Sequence, residues 1–127
     1  LAAAGLKRLG LEERISRSFS TEEILPAAGQ AILAVQARKG TDTSVLNTFH
    51  DEDAACCALA ERAFVRTLDG GCTSPVSAYA QMEGEELILT GLYVSPDETV
   101  MRRGMTRGRK KDAEALGLKL ALELKGE

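Results

Sequence analysis

The stretch LDGGCTSP, Leu68 to Pro75, sets one cysteine behind two glycines, with two residues between it and a proline. A thiol either packs as a small hydrophobe or acts as a nucleophile when its thiolate is favoured. Backbone freed by Gly70 and Gly71 suits a presented thiol better than a packed one. Against this, Cys72 follows a predicted helix C-terminus, where the helix dipole is negative and disfavours a thiolate, so ordinary redox chemistry is a poor fit. On spacing alone two readings stand. One is a structural loop cysteine; the other is a thiol that acts once on a very reactive electrophile and stays bonded. Cys56 and Cys57 fall inside a helical pattern and read as core or near-core residues. No C-x-x-C pair occurs, and the single histidine, His50, reads as a capping or packing residue, so no metal site is expected.

The other chemistry-bearing cluster is basic. MRRGMTRGRKK, ending at Lys111, carries Arg102, Arg103, Arg107, Arg109 and Lys110. Edge strands commonly carry Lys and Arg, so a solvated edge strand is the weightier reading and an anion site the lighter one.

Several elements must position these groups. Ala2 to Leu11 has helix-forming composition with Gly10 as its stop, and Pro26 and Gly29 punctuate a connection. Residues 31–38, AILAVQAR, form an apolar run of the kind shown by a buried strand. Lys39 to Thr43 is a polar linker and the expected domain boundary. Thr43 to Phe49 is a short helical piece. Asp51 to Asp69 is a long helix with Asp51, Glu52 and Asp53 at its N-terminus and a buried face through Cys57, Ala60, Phe64 and Leu68. Period-two alternation follows, predicting strands at 76–82, 87–94 and 100–107 with a turn at Gly84. Lys110 to Lys125 closes the chain as a helix buried along Ala113, Leu116, Leu120 and Leu124. Gly117 inside it costs about 1 kcal/mol relative to alanine unless close packing requires it.

Helices and strands are thus segregated, which predicts an α+β fold: a three-stranded antiparallel sheet with helices on one face, spanning 39–127. Residues 1–38, a helix, a connection and an apolar run, are expected to be less stable by themselves and to leave apolar surface exposed. With 127 residues, a net charge of -3 and 44% hydrophobic residues, the chain fits about one domain and not a general nucleic-acid binder. No apolar run is long enough for a membrane span, and three cysteines do not make a secreted disulfide framework. The opening LAAAGLKRLG lacks an initiating Met and reads as if cut from inside an element, so a fragment is expected.

Four segments in order, LAAAGLKRLGL (1–11), LPAAGQ (25–30), AERAFVRTLDGGC (60–72) with Pro75, and LTGLYVSPD (89–97), resemble the second half of the porphobilinogen deaminase family, also called hydroxymethylbilane synthases. The resemblance implies a transferase of tetrapyrrole (heme and chlorophyll) biosynthesis that polymerises porphobilinogen head to tail, with release of ammonia, to hydroxymethylbilane. It also implies a dipyrromethane cofactor held by a thioether at Cys72. By the same alignment Ala2, Ala3 and Gly5 fall in the cofactor-lining segment and Gln30 in the family's GQ turn near the cofactor. Arg8 matches an arginine that binds substrate carboxylates. Arg62 matches an arginine assigned to inter-domain ion pairing, with a plain surface salt bridge as an equal alternative.

The family's usual third glycine after GQ is replaced here by Ala31, and VQAR stands where IECR is usual. The resemblance implies that residues 1–38 are a partial α/β segment of preceding domains (helix, connection and return strand), and that the family's first domain, with its catalytic aspartate, and most of its second have no counterpart. The chain alone is therefore expected to contribute no catalytic residue, to be inactive and to carry no dipyrromethane. Its expected partners are porphobilinogen, the growing polypyrrole and the missing N-terminal domains, in a monomeric cytoplasmic parent, with an organelle left open. Two other classes stand beside this reading: a non-catalytic anion- or tetrapyrrole-binding domain, and a thiol-redox protein using Cys56, Cys57 and Cys72.

Overall fold

A computed structural model describes residues 2–68 and 75–127. In chain order it contains α1 (Ala3–Arg8), short 3-10 turns at Glu12–Arg14 and Ser44–Phe49, and α2 (Glu52–Thr67). Then come β1 (Ser77–Glu83), β2 (Glu86–Val94), β3 (Met101–Arg109), a 3-10 turn at Lys110–Asp112 and α3 (Ala113–Lys125). The expected α+β architecture is present from residue 44 onward.

Local chemistry accounts for the boundaries. Asp51 caps α2, its carboxylate accepting the Ala54 N–H at 3.0 Å, and Glu52 and Asp53 occupy the first turn where the dipole favours acids. A tight loop joins β1 to β2, with Gly84 in the left-handed region at positive φ, a geometry that glycine adopts without a Cβ penalty. α3 ends at Gly126, whose φ is 94°.

The strands run antiparallel in the order β1-β2-β3, so β1 and β3 are both edges. The register sets Tyr79 opposite Thr90 and Thr90 opposite Met105, and alternation sends the neighbouring residues to the other face. Ala78, Ala80, Leu87 and Leu89 point to the helix-covered face and join Cys57, Ala60, Phe64, Leu116, Leu120 and Leu124 in one core. These include three of the four residues expected on the α2 face, and all of the α3 stripe is buried. Leu68, the fourth α2 position, is partly buried against the same core.

Two glycines make this packing possible. A Cβ on Gly117 would lie 2.3 Å from the Ala60 carbonyl oxygen and 2.9 Å from the Phe64 nitrogen, so α3 touches the backbone of α2 there. On the sheet, a Cβ on Gly91 would lie 2.5 Å from the Phe64 ring. Close packing is thus the reason for a mid-helix glycine at 117.

Three local expectations need correction. The helix expected at Ala2 to Leu11 is limited to Ala3–Arg8, with Gly10 beyond it at positive φ. The final helix begins at Ala113 after a 3-10 turn, not at Lys110. Residues 31–38 form no strand. A lone apolar run has no ladder to join, and Leu33 and Val35 stand 92% and 65% exposed, so the backbone there has neither sheet partner nor burial to hold it extended. The segment before α2 leaves further apolar side chains exposed, including Leu9, Phe19, Val45 and Phe49.

The second sheet face is not bare. Residues 21–30 cross it as a strap. The Arg103 guanidinium on β3 donates to the Glu22 and Thr21 carbonyls at 2.6 and 3.2 Å, and Leu25 is buried, as is Ile88 on the sheet face below. A groove of about 460 Å³ lies between strap and sheet, lined by Tyr79, Thr90 and Arg107 among others.

The Gly117 contact gives a test. Alanine is the better helix former by about 1 kcal/mol, but forcing a methyl against backbone costs about 1–3 kcal/mol. Gly117→Ala is expected to lower the urea midpoint with an unchanged slope. A raised midpoint would show that α2 and α3 do not approach this closely.

Candidate functional site

The thiols divide by environment. Cys57 is 9% exposed within the core, and its burial, with the nearby Glu61 carboxylate, pushes its thiol up to about 11. Cys56 is half-buried and packs on the same cluster. Both are free cysteines placed by α2 as packing groups, as the sequence pattern implied. Cys57 gives a redox reading little footing, because a protonated, buried thiol is a poor nucleophile. Cys72 lies outside the described residues; α2 ends ahead of it in the chain and β1 begins after it.

Between those elements sits a group that the sequence reading passed over. Glu61, on α2, is 3% exposed and is the one buried charged residue among the described residues. Its Oε1 accepts the Ala80 N–H at 2.7 Å, and its Oε2 accepts the Gly29 N–H at 2.6 Å. Burial pushes its carboxyl above the ordinary glutamate value, and the two backbone donors pull it back down. Ala80 lies on edge strand β1, so the carboxylate fills a ladder position that no strand occupies. Gly29 and Ala31 both have positive φ, so the turn around Gln30 is held in left-handed backbone at both sides. Ala31 thus carries a side chain in a conformation that favours glycine. The signal for Glu61 was present: it lies one helical turn after Cys57, beside the apolar stripe, where an acid must find partners or stay out of the core.

The other residues singled out in the sequence are spread over the surface. Ala2, Gly5 and Arg8 are exposed and Ala3 half-exposed, all on or beside α1, which packs against the turn Glu12–Arg14. A Cβ on Gly5 would meet nothing within 4 Å, which leaves room for a ligand to approach the backbone. Gln30 is exposed, and its N–H donates to the Ala27 carbonyl in the turn that Glu61 holds. Arg62 is exposed and makes no ion pair among the described residues. His50 is exposed and follows the turn Ser44–Phe49. No cluster of three or more metal-ligating side chains occurs among the described residues.

The basic stretch of β3 is an edge strand whose arginines are engaged within the chain. Arg102 donates to the Leu124 carbonyl at 2.9 Å, Arg103 to the strap, and Arg107 and Arg109 pair with Glu86 and Asp112 at 3.5 and 3.4 Å.

Comparison with known proteins places both halves. A family model described as porphobilinogen deaminase, C-terminal domain, matches residues 55–126, more than half of the chain. The chain belongs to the porphobilinogen deaminase family. A second model, described as the porphobilinogen deaminase dipyromethane cofactor binding domain, matches residues 1–47. Among curated relatives, the chain is 57% identical over all 127 residues to the porphobilinogen deaminase of Alkaliphilus oremlandii, covering 43% of that protein. It is 54% identical to that of Acetivibrio thermocellus, with 98% of this chain and 42% of the relative covered, and 49% identical to that of Ruminiclostridium josui, with 98% and 43% covered. The chain therefore spans about two fifths of the length of these relatives. Within this family, Glu61 and Arg103 hold residues 21–30, which lie inside the cofactor-domain match, against the C-terminal domain, with Glu61 at the junction.

The Cys57 environment gives a signed pH dependence. Because the folded thiol keeps its proton above the unfolded value of 9.0, the stability this provides is complete below about pH 9 and lost as pH rises through about 11. Alkylation at pH 8 is expected to spare Cys57 in the native chain and to label it in denaturant, read by peptide mass mapping. Rapid native labelling would show that α2 does not seat this thiol in the core.

Proposed function

We propose that this chain is the thiol-bearing portion of a porphobilinogen deaminase, a transferase that joins porphobilinogen units head to tail, with release of ammonia, to hydroxymethylbilane. The observation that carries this reading is identity of 57% across the whole chain to a protein of that name, with both family models matched in order. Cys72 is the anchor, holding a dipyrromethane as a thioether. Two packing cysteines on α2 leave it as the thiol suited to that task.

The donor set fits such a group. A pyrrole chain carries acetate and propionate carboxylates, which call for cations and for backbone that can be approached closely. Arg8 is exposed at the end of α1, and the space above Gly5 is open. Arg8 thus binds carboxylates, while Ala2, Ala3 and Gly5 line the pyrroles with little bulk. Gln30 presents an amide from the turn that Glu61 holds. In this reading Arg62, exposed on α2, forms an ion pair with a neighbouring domain. When bound, the dipyrromethane supplies an electron-rich pyrrole carbon from which the product chain starts. The residues of this chain hold that primer through successive additions and take no part in proton transfer. Expressed by itself, the chain is expected to keep Cys72 as a free thiol, with loading and turnover requiring the remainder of a monomeric, cytoplasmic parent. No helix among the described residues is long and apolar enough to cross a membrane.

The deciding comparison uses the longer protein. Cys72→Ser is expected to lose the two-pyrrole mass increment and to reduce activity per folded molecule to background, because a hydroxyl is a far weaker nucleophile than a thiolate. Cys57→Ala is expected to cost about 1 kcal/mol through lost packing while keeping the increment. A normal increment and turnover in Cys72→Ser would overturn the anchor assignment.

A further inference from the structure

The Glu61 carboxylate reaches two backbone segments far from it in sequence, Gly29 at a separation of 32 residues and Ala80 at 19. We propose that Glu61 is a positioning residue: its two oxygens tie the Gln30 turn to the edge of β1 and to α2, and so fix the chain on both sides of Cys72 against the segment matched by the cofactor-binding model. Its functional part rests on the deaminase reading above; the clamp itself does not.

The chemistry of the position singles out this role. A buried carboxylate is costly unless hydrogen bonds satisfy it, and the groups that hold Glu61 are backbone donors, with no cation among them. A residue needed only to fill space here would be apolar, as Ala60, Ala63 and Phe64 beside it are. Both bonds are short and charge-assisted, from Gly29 N–H to Oε2 and from Ala80 N–H to Oε1, and each satisfies a donor that has no ladder partner. Two donors facing one side chain require two acceptor oxygens. Glutamine offers one oxygen and sets an N–H₂ against the other donor, and aspartate is one methylene too short to span the same gap. Glutamate is therefore the residue the geometry asks for. Arg103 holds the strap from the opposite edge of the sheet through the Thr21 and Glu22 carbonyls, so Glu61 governs the Gln30 end alone.

Several groups surround the clamp. From α2 itself Cys57 faces Glu61, one turn earlier, and Asp53 and Asp51 lie further along towards the helix start. The Gln30 turn and β1 present it with the N–H groups of Gly29 and Ala80. The consequence for function is geometric, since a displacement of about 1 Å in a positioned reactant can cost about 10²-fold in rate.

The test has two arms. In this chain, the amide resonances of Gly29 and Ala80 are followed by NMR against pH. They are expected to shift together through one common midpoint above the ordinary glutamate value of 4.5, and neither is expected to follow it in Glu61→Gln. Two different midpoints, or an unchanged titration in the variant, would overturn the clamp. In the longer protein, Glu61→Gln is expected to retain the two-pyrrole mass on Cys72 and to lower kcat about tenfold or more at an unchanged KM. Wild-type kcat in the variant would overturn the positioning role. If that variant fails to fold, the wild-type titration still decides the clamp. An absent increment in the wild-type longer protein would instead sink the deaminase reading and leave the amide titration standing.

Discussion

The contact between α2 and α3 at Gly117 is the constraint from which the rest follows. Where a Cβ would sit 2.3 Å from the Ala60 carbonyl, the helices are locked backbone to backbone, and neither can slide without a clash. The lock drives the Phe64 ring down onto Gly91 of the central strand. Leu116, Leu120 and Leu124 fill the space towards β3, where Gly108 and Gly104 leave room for them. Small residues on the sheet and leucines on the helix thus interdigitate as large and small. The core gains a unique register at the cost of helix propensity at one position.

That lock also places Glu61. It lies one residue after Ala60, so the same turn of α2 that meets α3 aims a carboxylate along the edge of β1. The edge strand is thereby capped in place, and the next free donor, Gly29, is drawn in from the strap. The opposite edge is handled by charge: Arg103 fastens the strap, and Arg102 satisfies the carbonyl of Leu124 near the end of α3. The open sheet face is thereby crossed over Ile88 by a segment with little regular structure, held by polar contacts at its ends and by Leu25 between them.

These arrangements explain what could be read from the residues. Strands β1 to β3, α2 and α3 were legible because their apolar spacing matches the period of the element they form and because the core each faces lies within the same stretch of chain. Residues 31–38 were not, because a strand is a relation between two segments and an apolar run specifies only one of them. Glu61 was hidden for a related reason. Its partners are backbone N–H groups 19 and 32 residues away, which carry no side-chain signature, while Arg62 beside it drew notice as a family match. The family resemblance itself was legible in four short segments. The strap and its two fastenings emerge only from the fold.

The distribution of cations completes the division of labour under the proposed function. A carboxylate-rich pyrrole chain needs arginines whose donors are not already committed. On β3, Arg102 and Arg103 spend donors on backbone carbonyls of this chain, while Arg107 and Arg109 make only exposed pairs with Glu86 and Asp112. Arg8 stands exposed on α1, in the half matched by the cofactor-binding model. Under the proposed function the C-terminal domain would supply the anchoring thiol and the rigid frame, and recognition of the substrate's charge would fall to the segments before α2. Under that arrangement the frame must hold the thiol at a fixed place relative to those segments, which is the role proposed for the strap and the Glu61 carboxylate.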